Sequence, residues 1–267
     1  MPTTKRRFIT FLLISVFVGA CSYAPPSTST TAVHSGRDVL AAMQRMYANK
    51  WYKTLTFVQR TTITRPDGTQ QVSTWYEALQ SPDRLRIDFG DPKLGNGALY
   101  TADSLYVVRG GVITRKIADG NVFLPFVAGV YTQPLDTTLR QLSPYHFDLT
   151  RVREDRWQGR PVYVVGAVDS TDVSSPQFWI DRERQVALRV IVPLGVAPNA
   201  TLYDIHLEGY VPVAGGMLAT RVAMLSGGVS RQTEEYSDWH GDVPLSPDLF
   251  VAERWSTAPH WARVTSQ

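Results

Sequence analysis

The sequence has only one cysteine, Cys21, and no net charge once the first twenty residues are set aside. A single cysteine cannot form a disulfide within the chain, so the fold is expected to depend on packing alone. Three of the 27 basic residues lie at positions 5–7, and no acidic residue precedes Cys21, which leaves 24 basic and 24 acidic residues. Without a positive excess to neutralise phosphates, nucleic acid is not expected as a partner.

Common catalytic and metal-binding motifs are missing as well. The sequence contains no Gly-x-Ser-x-Gly elbow and no phosphate-cradling glycine loop, and its five histidines are far apart. Glu234 and Glu235 could suggest paired carboxylates, but neighbouring residues of a strand point to opposite faces. One exposed and one partnered acid is the simpler interpretation. We therefore expect no metal site, no cofactor and no enzymatic activity.

The N-terminal residues have the composition of a secretory signal. Three basic residues precede an apolar run, Phe8–Ala20, which is shorter than the ~20 residues that a membrane-spanning helix needs. The run ends in Val-Gly-Ala before Cys21 and resembles the lipobox of bacterial lipoproteins. This resemblance implies cleavage before Cys21 and lipidation of its thiol, which gives stable membrane anchoring. It also implies an outer-membrane location facing the periplasm, because Ser22 stands where an Asp would favour inner-membrane retention. An ordinary signal peptide beside a chance cysteine is the alternative.

Composition divides the chain into four parts. We assign residues 1–20 to a signal peptide, 21–35 to the lipidated cysteine and a flexible tether, 36–255 to a folded domain, and 256–267 to a tail. The tether is predicted from its small and polar residues, its prolines and its lack of periodicity.

Aromatic residues are abundant, with 7 Trp, 12 Tyr and 10 Phe, and both sheets and apolar cavities favour them. Apolar residues three and four apart predict a helix over 37–49, either as part of the core or as a lid. Two runs of alternating strands follow, separated by an apolar insert at 120–143 that predicts one or two short helices. A flat sheet of about eleven strands would be unusual. We therefore predict a mainly β (α+β) fold: one strongly curved antiparallel sheet forming an incomplete β-barrel with a helical lid.

Three short motifs resemble the LolA/LolB-like superfamily of outer-membrane lipoprotein-sorting proteins. They are PDRLR at 82–86, YTADSLY at 100–106, where Ser104 replaces a usual Gly, and FWID at 178–181 followed by Leu-Arg-Val. The resemblance covers roughly residues 37–250. It implies an incomplete antiparallel barrel with a helical lid over an apolar cavity. The receptor of that family also has an exposed apolar loop, whose nearest counterpart here is Asp91–Gly95, with an ordinary turn as the alternative.

Strand alternation and the insert supply candidates for the cavity wall. The predicted lining residues are Leu55, Phe57, Trp75, Leu85, Ile87, Phe89, Tyr106, Phe123, Phe126 and Tyr236. Arg84 and Arg86 share the other face of their strand and are candidates for contacting an anionic headgroup or an acyl-ester carbonyl. A solvated polar face is the alternative for this pair.

These features favour a membrane-anchored periplasmic lipoprotein that binds a lipid, or the acyl chains of a lipoprotein, for lipoprotein sorting or lipid transfer. Its expected partners are the membrane, through Cys21, and the hydrophobic ligand. A periplasmic carrier or membrane complex is left open as a third partner. The alternative is a sensor or interaction lipoprotein that binds a protein partner without transport. A structural lipoprotein with a filled core is a further possibility.

Overall fold

The computed structural model describes residues 33–195 and 199–262. The predicted signal peptide, Cys21, the tether up to residue 32 and the last five residues lie outside these ranges. The described residues form three short helices: α1 (Gly36–Met46), α2 (a π-helical turn, Pro125–Gly129, continued by the α-helical turn Val130–Thr132) and α3 (Leu135–Leu142). No helix in the described ranges has both the length and the apolar character needed to cross a membrane.

Fifteen strands lie within the described residues, and thirteen of them form one antiparallel sheet. The first half contributes β1 (Thr54–Thr64), β2 (Gln70–Gln80), β3 (Arg84–Phe89), β4 (Gly97–Tyr100), β5 (Leu105–Arg109) and β6 (Val112–Ile117). The second half contributes β7 (Val152–Trp157), β8 (Arg160–Val165), β9 (Gln177–Asp181), β10 (Ala187–Leu194), β11 (Thr201–Glu208), β14 (Arg221–Ser226) and β15 (Val229–Gly241). A separate hairpin is formed by β12 (Val211–Val213) and β13 (Gly216–Leu218). The predicted fold class is confirmed, with more strands than the eleven expected.

The order of the strands places the insert over the sheet. The order is β6-β5-β4-β3-β2-β1-β15-β14-β11-β10-β9-β8-β7, so the first and last strands pair in the middle. The end strands β6 and β7 are not paired with each other in the described part of the chain, and the sheet stays open. Because the segment between them connects the two free edges, α2 and α3 are carried across the concave face.

Helix α1 belongs to the core of the concave face. It begins after Ser35, whose side-chain oxygen accepts a hydrogen bond from the Asp38 backbone N–H. Val39, Leu40 and Met43 are fully buried in the main hydrophobic cluster. This packing assigns α1 to the core rather than to the lid.

Aromatic side chains attach α2 to the sheet. The rings of Trp51 and Tyr131 stack with their centroids 3.6 Å apart. The Trp51 indole N–H and the Tyr52 hydroxyl both donate to the Val127 carbonyl, at 3.0 and 3.3 Å. The Tyr131 hydroxyl donates to the Gln185 carbonyl at 2.9 Å. The insert is thus tied both to the start of β1 and to the turn before β10.

The convex face is covered by the C-terminal segment. A second hydrophobic cluster forms there from Ala78, Leu99, Val108, Leu249, Phe250, Ala252 and Trp255. Beneath it, Arg86 Nε and Nη2 donate to the two Asp88 carboxylate oxygens at 2.8 and 2.9 Å. The Arg86 guanidinium lies 3.8 Å from the centroid of the Trp255 ring, and His260 Nε2 is 2.9 Å from Asp88 Oδ2. This buried ion pair therefore joins the sheet to the last described residues.

Replacing Asp88 by Asn is expected to lower the free energy of unfolding by about 3–5 kcal/mol, because the buried Arg86 guanidinium then lacks a counter-charge. Urea unfolding measures the change. The double variant Arg86→Met, Asp88→Leu should recover much of the loss, since it removes both charges. As a control, Glu235→Gln breaks the exposed ion pair with Arg60 and should cost less than about 1 kcal/mol. Equal losses in Asp88→Asn and the control would contradict the proposed role of the buried pair.

Candidate ligand-binding site

A cavity of about 570 Å³ lies between the concave face of the sheet and the insert. Its floor comes from β1–β4 on one side and from β11, β14 and β15 on the other, and residues 122–127 form much of its roof. The volume is typical of pockets that hold small apolar ligands. Strand alternation explains the lining, because every second side chain of each strand points to this face.

Nine of the ten predicted lining residues lie on the cavity wall. They are Leu55, Phe57, Trp75, Leu85, Ile87, Phe89, Phe123, Phe126 and Tyr236. Two ring pairs stand among them, Phe57 with Tyr236 and Trp75 with Phe89, each with centroids 4.6 Å apart. Their contact with a ligand stays a prediction.

Tyr106 was predicted to line the cavity, but it does not. It pairs with Leu99 across β4 and β5, and Leu99 pairs in turn with Arg86. Directly opposite residues of antiparallel strands point to the same side, so Tyr106 faces the convex surface. There it packs against the cluster under the C-terminal segment.

Arg84 and Arg86, the predicted headgroup contacts, do not line this cavity. Both residues alternate with Leu85 and Ile87 along β3. Their side chains therefore point to the face of the sheet that is turned away from the cavity. Arg86 is 2% exposed and already bound by Asp88. Arg84 is exposed beside a shallow convex groove. The arginine face supports the C-terminal segment rather than a ligand.

The cavity wall carries two buried acids that the sequence did not single out as a site. Glu234 is 7% exposed; its Oε1 accepts a hydrogen bond from Gln232 Nε2 at 2.6 Å, and its Oε2 accepts one from the Tyr236 hydroxyl at 2.7 Å. Glu77 is 4% exposed, and none of the hydrogen bonds or ion pairs among the described residues reaches its carboxyl group. The sequence feature that could have indicated Glu77 as a cavity residue is its position in the alternation of β2, between the inward-facing Trp75 and Leu79. Glu235, next to Glu234, is exposed and bound to Arg60 at 2.8 Å, as opposite faces require.

Burial disfavours the ionised forms of both acids. It raises the pKa of Glu77 well above its usual value, and repulsion from Glu234 adds to the effect. The pKa of Glu234 is also raised by burial, against the two hydrogen bonds that favour its ionised form. The same burial and the two nearby acids raise the pKa of Tyr236, so its hydroxyl remains a hydrogen-bond donor. The wall is therefore apolar with a small polar centre.

The loop predicted as a possible apolar tip is a short 3₁₀ turn, Pro92–Leu94. Asp91 caps its start, Gly95 ends it in the left-handed conformation, and the Leu94 side chain is 61% exposed. The turn lies on the convex side, against Gly111. A role in contacting a partner stays a prediction.

Comparison with protein-family models finds no match, and neither does comparison with curated proteins. Among solved structures, a DUF1329 family protein from Desulfovibrio piger is 16% identical, with 80% of this chain and 95% of that chain covered and a TM-score of 0.55. A domain from Vibrio parahaemolyticus, proposed to be an outer membrane lipoprotein-sorting protein, is 12% identical, with 81% and 97% covered and a TM-score of 0.50. The described residues share the fold of these two proteins.

A LolA superfamily protein from Nitrosomonas europaea is 13% identical, with 82% and 98% covered and a TM-score of 0.49. At such identities a structural likeness shows the fold alone. The ligand of this domain therefore has to be inferred from its own cavity.

Replacing Glu77 by Gln is expected to make stability less dependent on pH. The folded-state pKa of Glu77 lies above the unfolded value of 4.5, so the parent loses stability as the pH rises from that value to the folded pKa. Gln does not titrate. The stability of the variant relative to the parent should therefore rise between pH 4 and pH 8, by roughly 1.4 kcal/mol for each unit of pKa elevation. Urea unfolding at both pH values measures this, with the exposed Glu235→Gln as control. A pH-independent difference would show that Glu77 is ionised in the folded protein.

Proposed function

We propose that this protein holds a hydrophobic ligand, a lipid or the acyl chains of a lipoprotein, in the cavity between its sheet and its insert. The observation that carries the proposal is a largely apolar cavity of about 570 Å³ at the centre of the domain. Each methylene group buried there would contribute about 0.8 kcal/mol, so one chain of moderate length offsets the loss of freedom on binding.

The packing of the wall favours a ligand site over a filled core. Leu85 and Phe126 are buried by protein alone, whereas Trp75, Ile87 and Phe89 remain half-buried although they face the interior. Protein interiors normally pack without voids of this size. A second apolar body would complete the burial of these side chains, which argues against a purely structural role.

The site also favours binding over catalysis. Burial raises the pKa of both buried acids, and one of them, Glu234, is fixed by Gln232 and Tyr236. The histidines His206, His240 and His260 instead pair with Asp204, Asp238 and Asp88. We infer a carrier or receptor that shields its ligand rather than an enzyme that transforms it.

We further propose that the domain is anchored in the cell envelope through a lipid on Cys21. The Val-Gly-Ala-Cys sequence after a basic and apolar segment supports this, and Ser22 favours the outer membrane, facing the periplasm. Signal peptide, tether, folded domain and tail then follow the division at residues 20, 35 and 255. The proposed lipoprotein-sorting role of the similar Vibrio domain agrees with such a location. Under this proposal the ligand passes to or from a periplasmic carrier or a membrane complex.

Native mass spectrometry with lipid extraction tests the proposed cavity. The domain from residue 33 onward, secreted into a bacterial periplasm, is expected to carry lipid or acylated peptide. Ala98→Phe, which fills the wall of β4, should abolish this adduct, while Val72→Phe on an exposed position should keep it. Circular dichroism confirms folding of both variants. A ligand-free mass, no uptake of a fluorescent fatty acid, and recovery of one stoichiometric protein partner would favour a sensor.

Replacing Cys21 by Ser tests the anchor. The thiol is the proposed acylation site and no other cysteine can replace it, so incorporation of labelled palmitate should be lost. Fractionation should show failure of lipoprotein processing, while Ser22→Ala should leave labelling intact. Undiminished labelling of Cys21→Ser would contradict the anchor without bearing on the cavity.

A further inference from the structure

Glu77 presents an unpartnered carboxyl group to the cavity. It lies on β2 directly opposite Phe57 of β1, it is 4% exposed, and no hydrogen bond from a described residue reaches it. The carboxyl oxygens of Glu77 keep some accessible surface and open onto the cavity, where a bound molecule can supply a hydrogen-bond partner. The neighbouring acid differs in this respect, because both Glu234 oxygens already accept hydrogen bonds. The open acceptor position in the wall is therefore Glu77.

The rest of the lining is suited to a positive charge. Three acids, Glu77, Glu234 and Asp119, face the cavity, and no Lys, Arg or His of the described residues does. The wall is rich in aromatic rings, and the Phe57–Tyr236 pair lies next to the two buried acids. Aromatic faces attract cations in sites without water. A fatty-acid carboxylate or a lipid phosphate would find no cationic partner there.

We propose that the cavity binds an amphiphilic amine, an apolar body that carries a protonated nitrogen, and that Glu77 accepts the hydrogen bond of this nitrogen. The inference rests on the proposed hydrophobic-ligand function and specifies the ligand class. The apolar body occupies the space between Ile87, Phe89 and the insert. The nitrogen lies beside Glu77, within the field of Glu234. Charge-assisted hydrogen bonds in a dry site are strong and selective.

Binding of such an amine is coupled to a proton. The groups that face Glu77 are Glu234 and Tyr236 from β15 and Tyr100 from β4, with uncharged residues on β1 and β3. Burial and, to a smaller extent, repulsion from Glu234 raise the pKa of Glu77 in the empty cavity, which favours its protonated form. When the ammonium ion binds to the ionised carboxylate, the carboxyl proton leaves to solvent, so one proton is released for each amine bound. A neutral alcohol releases none.

Isothermal titration of residues 21–267 carrying Cys21→Ser, after removal of lipid, tests the inference with three probes of equal chain length. Dodecylamine is expected to bind about tenfold or more tightly than dodecanol, and dodecanoate more weakly than dodecanol. Titrations in phosphate and in Tris buffer should report release of about one proton with the amine alone. Glu77→Gln should abolish the proton release and bring the affinity for dodecylamine to within about twofold of the same variant's affinity for dodecanol. Glu235→Gln, on the outer face of β15, should change none of these values.

The outcomes separate the two proposals. If dodecanol and dodecanoate bind as tightly as dodecylamine, the cavity is a hydrophobic site and the amine inference is wrong. If the amine preference survives in Glu77→Gln, Glu77 is not the acceptor and the inference is wrong in that form. If none of the three probes binds to the parent protein, the hydrophobic-ligand function itself fails. The comparison within the parent protein does not depend on the folding of any variant.

Discussion

The pairing of β1 with β15 determines the rest of this structure. It joins the two ends of the folded chain from Leu55 opposite Gly241 to Ile63 opposite Gln232, with one register shift between Thr56 and Val58. The first half of the chain then builds outward to β6, and the second half begins at the opposite edge with β7. Since one segment has to connect those two edges, it crosses the concave face and covers it. The cavity follows from this topology, because a curved sheet under a bridging segment leaves space between them.

The two faces of the sheet are covered in different ways. On the convex face, the C-terminal segment packs closely over Ala78, Leu99 and a buried ion pair. Such pairs contribute little net stability but are strongly destabilising when one partner is removed, which makes this contact specific. On the concave face, the insert is tied near Trp51 and Tyr131, and a cavity remains between it and the curved sheet. The buried Arg86–Asp88 ion pair belongs to the closed face, and the buried acids Glu77 and Glu234 belong to the open one.

Sequence alone predicted those features that depend on short-range alternation. The period of two placed Leu85, Ile87 and Phe89 on one face, and the break in that period at 120–143 indicated the insert. Tyr106 was misplaced because alternation cannot be carried through the turn at residues 101–104 into the next strand. The C-terminal segment has no period to detect, since its apolar residues are ordered by tertiary contacts with the sheet. The two buried acids are 157 positions apart in sequence, and only the strand register brings their elements to one wall.

The asymmetry between the two acids is the most informative property of the wall. If Glu77 and Glu234 had no role beyond packing, we would expect both to have hydrogen-bond partners nearby, because unsatisfied polar groups are rare in protein interiors. Gln232 and Tyr236 orient Glu234. Their hydrogen bonds lower the pKa of Glu234 and so oppose the effect of burial. Glu77 is left with repulsion and burial alone, which lowers stability in the empty domain. Proteins commonly retain such locally unfavourable groups where they contact a ligand. A residue that disfavours the empty state and favours one class of occupant gives selectivity that an apolar wall cannot supply.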